Sequence, residues 1–217
     1  ANAKREDARA EALEELRTSL EKDDLLHALR SAVAVQTLGA SLNEAFEIPE
    51  VKQVIAAAKV EIPAAIEKAD WLIAQELLYR LRTLYDDTDR RAEYNETDRE
   101  LKNINRRVVL LAEYAPKRLF ELRTALAKRL GEEPPVWQEN NRETWQERRE
   151  GIDSSMLRRA LSITASEHIE AAGGNGWRPL LMGGLSAMRL VATTPGMEDT
   201  FKGLADDKAR GEWLDYV

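Results

Sequence analysis

Between residues 66 and 84 one continuous apolar stripe runs through Ile66, Ala69, Ile73, Leu77, Leu81 and Leu84, every third or fourth position. That spacing puts them on one face of a helix and cannot put them on one face of a strand, whose period is two. The pattern returns along the chain at Ala8, Ala12, Leu16 and Leu20, at Leu26, Leu29 and Val33, at Leu101, Ile104, Val108 and Leu111, and from Leu119 through Leu122 and Leu126 to Leu130. Alternating β-branched runs bounded by turns do not occur. The spacing predicts an all-α fold, a multi-helix bundle.

A chain of 217 residues can bury a real core as one large domain or two small ones. Its net charge of −7 argues against a dedicated nucleic-acid binder, because phosphate binding requires a basic surface. No apolar run reaches the roughly 18 residues of a membrane span. With no cysteine, disulfides, thiolate zinc sites and cysteine nucleophiles are excluded.

Local signals place the helix ends. Asp23-Asp24 offer N-cap oxygens, and Pro49 and Pro63 suit the first turns of a short and a long helix. A polar stretch from Asp86 to about Thr97 separates the long helix from the next, and Gly131 reads as a C-terminal stop. Residues 131–150 hold two prolines, few aliphatics and many charges, which predicts a linker or strap. Trp137 and Trp145 within it are expected to dock on the helical bodies, since an indole seeks a partly buried site. Beyond the strap, Asp153-Ser154-Ser155 cap a helix expected to turn Met156, Leu157, Ala160, Leu161, Thr164 and His168 inward. Gly173-Gly174-Asn175-Gly176 ends that helix, Trp177 to Val191 forms another, and Thr193-Thr194-Pro195-Gly196 turns the chain. The division expected is a helical domain over 1–130, a strap over 131–150 and a second helical part over 151–217. Asp70-Trp71, Ala74, Leu77 to Tyr79 and Leu84-Tyr85 leave open a tetratricopeptide-like first part, although one partial unit falls short of the three or so a solenoid needs. Ala1-Asn2, without a Met, implies a removed leader or a cut from something longer, and Gly211 to Val217 reads as an amphipathic segment that continues.

Chemistry-bearing constellations are missing where they would be expected. A carboxylate di-iron bundle needs Glu-x-x-His on two helices, but Asp24 stands three residues before His27 and Ala165 before His168. Ser162 and Ser166 lie six and two residues from His168, on other faces of the same helix, and no G-x-S-x-G or S-x-x-K occurs. The glycine cluster follows a helix and lacks a closing Lys-Ser or Lys-Thr, so it reads as a stop and not a phosphate loop. Arg90-Arg91, Arg106-Arg107, Arg148-Arg149 and Arg158-Arg159 are interleaved with acids, as on solvated helix faces. No catalytic, cofactor-binding or metal-ligating residue is assigned, and this chain by itself is not expected to be an enzyme.

The last third carries a resemblance. From Ser155 to Phe201 the chain reads MLRRALSITASEHIE, a glycine turn, then WRPLLMGGLSAMRLVATTPGMEDTF. It resembles the helical segment before the PDZ domain of carboxyl-terminal processing (tail-specific) serine proteases. There a helix ending in Y-V-D precedes a second of the type L-x-x-G-A-x-x-G-M, followed by L-D-P-H-S. His168-Ile169-Glu170 stand at the first place and Leu180 to Met188 at the second, while Ala192 to Gly196 replace the third. LLYRLRTLY and RRVVLLAEYAPKRLFELR look like the helical N-terminal extension of long planctomycete-type members. The resemblance implies an accessory region of a processing protease whose PDZ and catalytic domains lie elsewhere, in an extracytoplasmic or periplasmic setting. The family's catalytic serine and lysine have no counterpart here.

The function expected is therefore protein–protein interaction, self-association or substrate gating, with a free-standing tetratricopeptide-like module and a small α-helical enzyme or ligand carrier as alternatives. The partners expected are proteins, a homodimer included. Trp71, Tyr79, Tyr85 and Tyr114 are the expected contact surface, because Tyr and Trp favour sites half buried and half wet.

Overall fold

A computed structural model describes residues 2–138, 144–167 and 177–216. The regular elements among them are all helical, and no strand occurs. In chain order they are α1 (Asn2–Glu21), α2 (Leu25–Thr37), a 3-10 turn (Leu42–Glu47), α3 (Pro49–Glu67), α4 (Trp71–Tyr85), α5 (Arg91–Tyr114), α6 (Pro116–Arg129), α7 (Trp145–Arg149), α8 (Ser154–Glu167), α9 (Arg178–Ala192), a second 3-10 turn (Lys202–Ala205) and α10 (Asp207–Tyr216). The chain divides into two compact units, one of Ala1–Val109 with Leu119–Pro135, the other of Leu110–Arg118 with Val136–Val217.

The first unit is built on the stripes. α1 lies along α2, and α2 packs on α3 and α4. Leu16, Leu29, Val35, Val51, Val54, Leu77 and Leu84 are fully buried among them. Burial of each such leucine or valine stabilises by roughly 1.5–3 kcal/mol. Polar ties then fix α5 on α4: Gln75 Nε2 donates to Asn105 Oδ1 at 2.7 Å, Arg82 pairs with Asp98 at 2.7 Å, and the Arg107 guanidinium stands 4.8 Å over the Trp71 ring.

Helix ends follow the local chemistry, with two corrections. Asp24 caps α2 by accepting from the His27 backbone N–H, and Pro49 sits in the first turn of α3. Pro63, expected to open a helix, instead lies inside α3. The lost backbone bond is tolerated because Ile62 and Ala65 beside it are buried, so packing holds the helix through the proline. The break comes six residues later at Ala69, with φ +56°. There Asp70 N–H bonds the Ala65 carbonyl at 2.8 Å and Ala69 N–H the Ile66 carbonyl at 3.0 Å, the paired bonds of a left-handed helix stop. The same stop recurs at Asp23 and at Gly131, the latter as expected. The polar separator after α4 is also shorter than its composition suggests, since α5 begins at Arg91.

Alanine pays a steric penalty in the left-handed region that glycine avoids. Ala69→Gly is expected to stabilise the chain by about 0.5–1 kcal/mol, read as a higher urea midpoint. An unchanged or lower midpoint would place the helix break elsewhere.

The second unit has a small centre. Leu111 and Met197 are fully buried in it, and the Tyr114, Trp145 and Phe201 rings cluster with centroids 5.4–5.8 Å apart. Glu113 pairs with Arg148, and the Thr200 hydroxyl donates to the Tyr114 carbonyl. The turn after α9 needs its glycine: Gly196 has φ +98°, and a Cβ there would stand 3.1 Å from Arg118 Cγ.

Candidate functional site

α8 starts cleanly. Asp153 Oδ1 accepts from the backbone N–H groups of Ser155 at 2.7 Å and Met156 at 2.9 Å. The Ser155 hydroxyl and these two amides hold the Asp153 carboxyl below the usual carboxylate range. The helix carries the apolar stripe its sequence promised, but the stripe does not turn inward. No residue of α8 is buried. The cause is that an apolar stripe specifies burial without naming what covers it, and among the described residues none buries this one. The His168 end of the stripe and the glycine cluster at 173–176 lie outside the described residues.

α9 behaves alike. It opens with Pro179 in its first turn, and only its last residue, Ala192, is buried. Across the two helices Met156, Leu157, Leu161, Ile163, Leu181, Met182 and Met188 are each between 45 % and 59 % exposed. Gly183 and Gly184 open onto free space, with no atom within 4 Å of where a Cβ would stand. Toward its C-terminal end α9 borders an apolar groove of about 500 Å³, walled by Met188, Val191, Phe201, Leu204 and Trp213. These faces could bind an apolar surface.

The four aromatics expected to form a contact surface are dispersed. Trp71 and Tyr85 are core residues, 4 % and 3 % exposed. Tyr85 stacks on Phe46 at 6.0 Å, and burial pushes its hydroxyl up to about 12. Neither ring can meet a partner without opening the packing beneath it. Tyr79 is exposed at 46 %, beside the Arg80 guanidinium, and Tyr114 belongs to the aromatic cluster of the second unit. Of the two strap tryptophans, Trp145 joins that cluster and Trp137 is 42 % exposed.

Other polar groups have structural partners. His27 Nδ1 lies 2.8 Å from Asp24 Oδ2, so the imidazole closes the cap of α2. The Ser166 hydroxyl donates to the Ile163 carbonyl of its own helix. Among the described residues no group of three His, Asp or Glu side chains could hold a metal, and no helix is long and apolar enough to cross a membrane.

The residues that sequence reasoning passed over are Leu181, Met182 and Met188. A signal for them was present: from Leu180 to Val191 only Ser186 and Arg189 are polar, too few for a helix with one buried side. Set against protein-family models, curated proteins and solved structures, the chain matches none, and its function is to be read from these bare faces.

Proposed function

We propose that this chain is a non-catalytic protein-interaction module, an accessory domain of a carboxyl-terminal processing serine protease, acting through α8 and α9. The observation that carries the interaction is the set of seven large apolar side chains about half bare on those two helices. Apolar patches beyond a few hundred Å² are rare on proteins that meet only water, and they mark contact sites. The assignment to the protease family rests on the resemblance from Ser155 to Phe201, which contains both helices.

Two tests separate the parts. A dye that fluoresces on bare apolar surface, used in solution dilute enough to keep the chain monomeric, is expected to lose most of its signal on Leu157→Glu combined with Met182→Glu, with helicity unchanged by circular dichroism. Unaltered emission would overturn the interaction site. The family assignment is tested by the parent open reading frame, where a PDZ-like segment and then a β-rich domain with a serine and a lysine are expected. Their absence would remove the protease from the proposal.

A further inference from the structure

We propose that the groove between α1 and α2, within the first unit, binds a short free peptide of about three residues. Its terminal ammonium sits among Glu11, Glu14 and Glu15, and its terminal carboxylate against Lys22 and Arg30. The site does not rest on the interaction face of α8 and α9.

Ser31 is the first observation. It is 7 % exposed on α2 and lines the groove. A helical hydroxyl commonly bonds the carbonyl four residues back, as those of Thr37, Thr83 and Thr124 do at 2.9 Å. Unlike them, and unlike His27 and Ser166, the Ser31 hydroxyl has no hydrogen-bond partner among the described residues. No side-chain oxygen or nitrogen sealed from solvent lacks a partner among those residues, so the hydroxyl is the part of Ser31 that reaches the groove. A bare oxygen on an otherwise buried serine is a hydrogen-bonding group open to a ligand.

Charge along the groove is the second. α1 and α2 are joined by the short turn at Asp23 and lie antiparallel. Counted outward from Asp23, Lys22, His27 and Arg30 stand one, four and seven residues away, Ser31 and Glu15 eight, Glu14 nine and Glu11 twelve. A rise of about 1.5 Å per residue puts the centres of the basic and acidic stretches roughly 9 Å apart. Ser31 falls between them. Two charges in the groove are already answered, Asp24 by His27 at 2.8 Å and Glu14 by Arg17 at 3.4 Å. Lys22, Arg30, Glu11 and Glu15 form no ion pair among the described residues.

The ligand that meets all of these groups has a positive and a negative end, with hydrogen-bonding groups between. An extended tripeptide carries its two charges on the order of 10 Å apart, at roughly 3.3–3.6 Å per residue. Its amides can donate to the Ser31 hydroxyl and accept from it. The groove, about 760 Å³, has room for such a chain. A polyamine would set a cation against Arg30, and a dicarboxylate would set an anion against Glu15.

The experiment titrates triglycine into the full chain at low salt and follows the His27 ring protons by NMR, identified as the signals that His27→Gln removes. A saturable shift is expected, with a dissociation constant on the order of 1 mM, because exposed ion pairs are weak. N-acetyl-triglycine and triglycine amide, each missing one terminal charge, are expected to bind about three- to fivefold more weakly. Glu11→Gln with Glu15→Gln, both at exposed positions, is expected to weaken triglycine to the level of the acetylated peptide and to leave the acetylated peptide unaffected. Ser31→Ala is expected to weaken triglycine about two- to tenfold at an unchanged urea midpoint, since its hydroxyl holds nothing in the fold. The absence of a saturable shift overturns the proposal, as does a shift indifferent to the blocked peptides or to Ser31→Ala. A lowered urea midpoint in Ser31→Ala also overturns it, by showing that the hydroxyl is already engaged inside the chain. Equal binding of 8-aminooctanoate, which has a similar reach and no amides, overturns the peptide as occupant.

Discussion

Leu77→Ala is expected to lower the free energy of unfolding by about 2–5 kcal/mol, and Leu161→Ala, measured in dilute solution, by less than about 0.5 kcal/mol. The two leucines occupy equivalent places in their helices, each within an apolar stripe. Their surroundings differ. Leu77 is fully buried in α4, in the core of the first unit, so truncation removes its transfer free energy and leaves a cavity that rigid neighbours fill only in part. Leu161 is 45 % exposed on a helix without a buried residue, and truncation there leaves no cavity. Urea unfolding followed by circular dichroism separates the cases. Equal losses would mean that α8 is covered by something in its own chain, and the proposed interaction face would go with that result.

Gln36→Leu is expected to cost about 1–3 kcal/mol despite the similar size of the new side chain. Gln36 is 3 % exposed on α2, and its Nε2 donates to the Leu84 carbonyl at 2.7 Å and the Leu42 carbonyl at 3.1 Å. One amide thus ties the last turn of α4 and the first 3-10 turn to α2. A leucine fills the space but strands two acceptors, the Leu84 oxygen in a buried position. Gln36→Glu gives the sign of the effect. Only a protonated carboxyl can donate to these carbonyls, so the folded state raises the carboxyl's affinity for its proton. Stability is then fully present at pH below the ordinary carboxylate range and is lost as pH rises through the raised folded value. Urea midpoints for Gln36→Glu that do not differ between acid and neutral pH would show that the clasp contributes nothing.

The helical character of the chain was legible because the stripe from Ile73 to Leu84 admits no other backbone, and the cap at Asp24 and the stop at Gly131 were legible because few residue types do those jobs. Pro63 misled because proline is more often found in a first turn, while here buried neighbours carry it inside a helix. The true break at Ala69 had no signal at all, since alanine is an ordinary helix former and adopts the left-handed stop only because the packing of α3 and α4 requires one there. The amphipathic rings of Trp71 and Tyr85 point to half-wet surface sites, yet both are buried, because depth in a core is decided by neighbours far away in the chain. For the candidate site the limit was of another kind. The stripe on α8 could be read to the residue, but periodicity says which side of a helix avoids water and is silent on whether its cover comes from the same molecule.

The path of the chain at the end of α5 has a consequence for how the protein is made and dissected. Leu110–Arg118 belongs with the second unit although Leu119–Pro135 returns to the first, so the second unit is discontinuous in sequence. During synthesis its first nine residues leave the ribosome before the first unit is finished, and they wait for the rest. At about 5–20 residues per second, the remaining stretch of roughly 80 residues takes several seconds to arrive. For that interval Leu111 and Tyr114 have no mates, and a chaperone would find them there. No single scission yields two complete bodies either: a fragment beginning at Val136 lacks Tyr114, against which Trp145 and Phe201 pack, and recovers it only if the other fragment is supplied in trans.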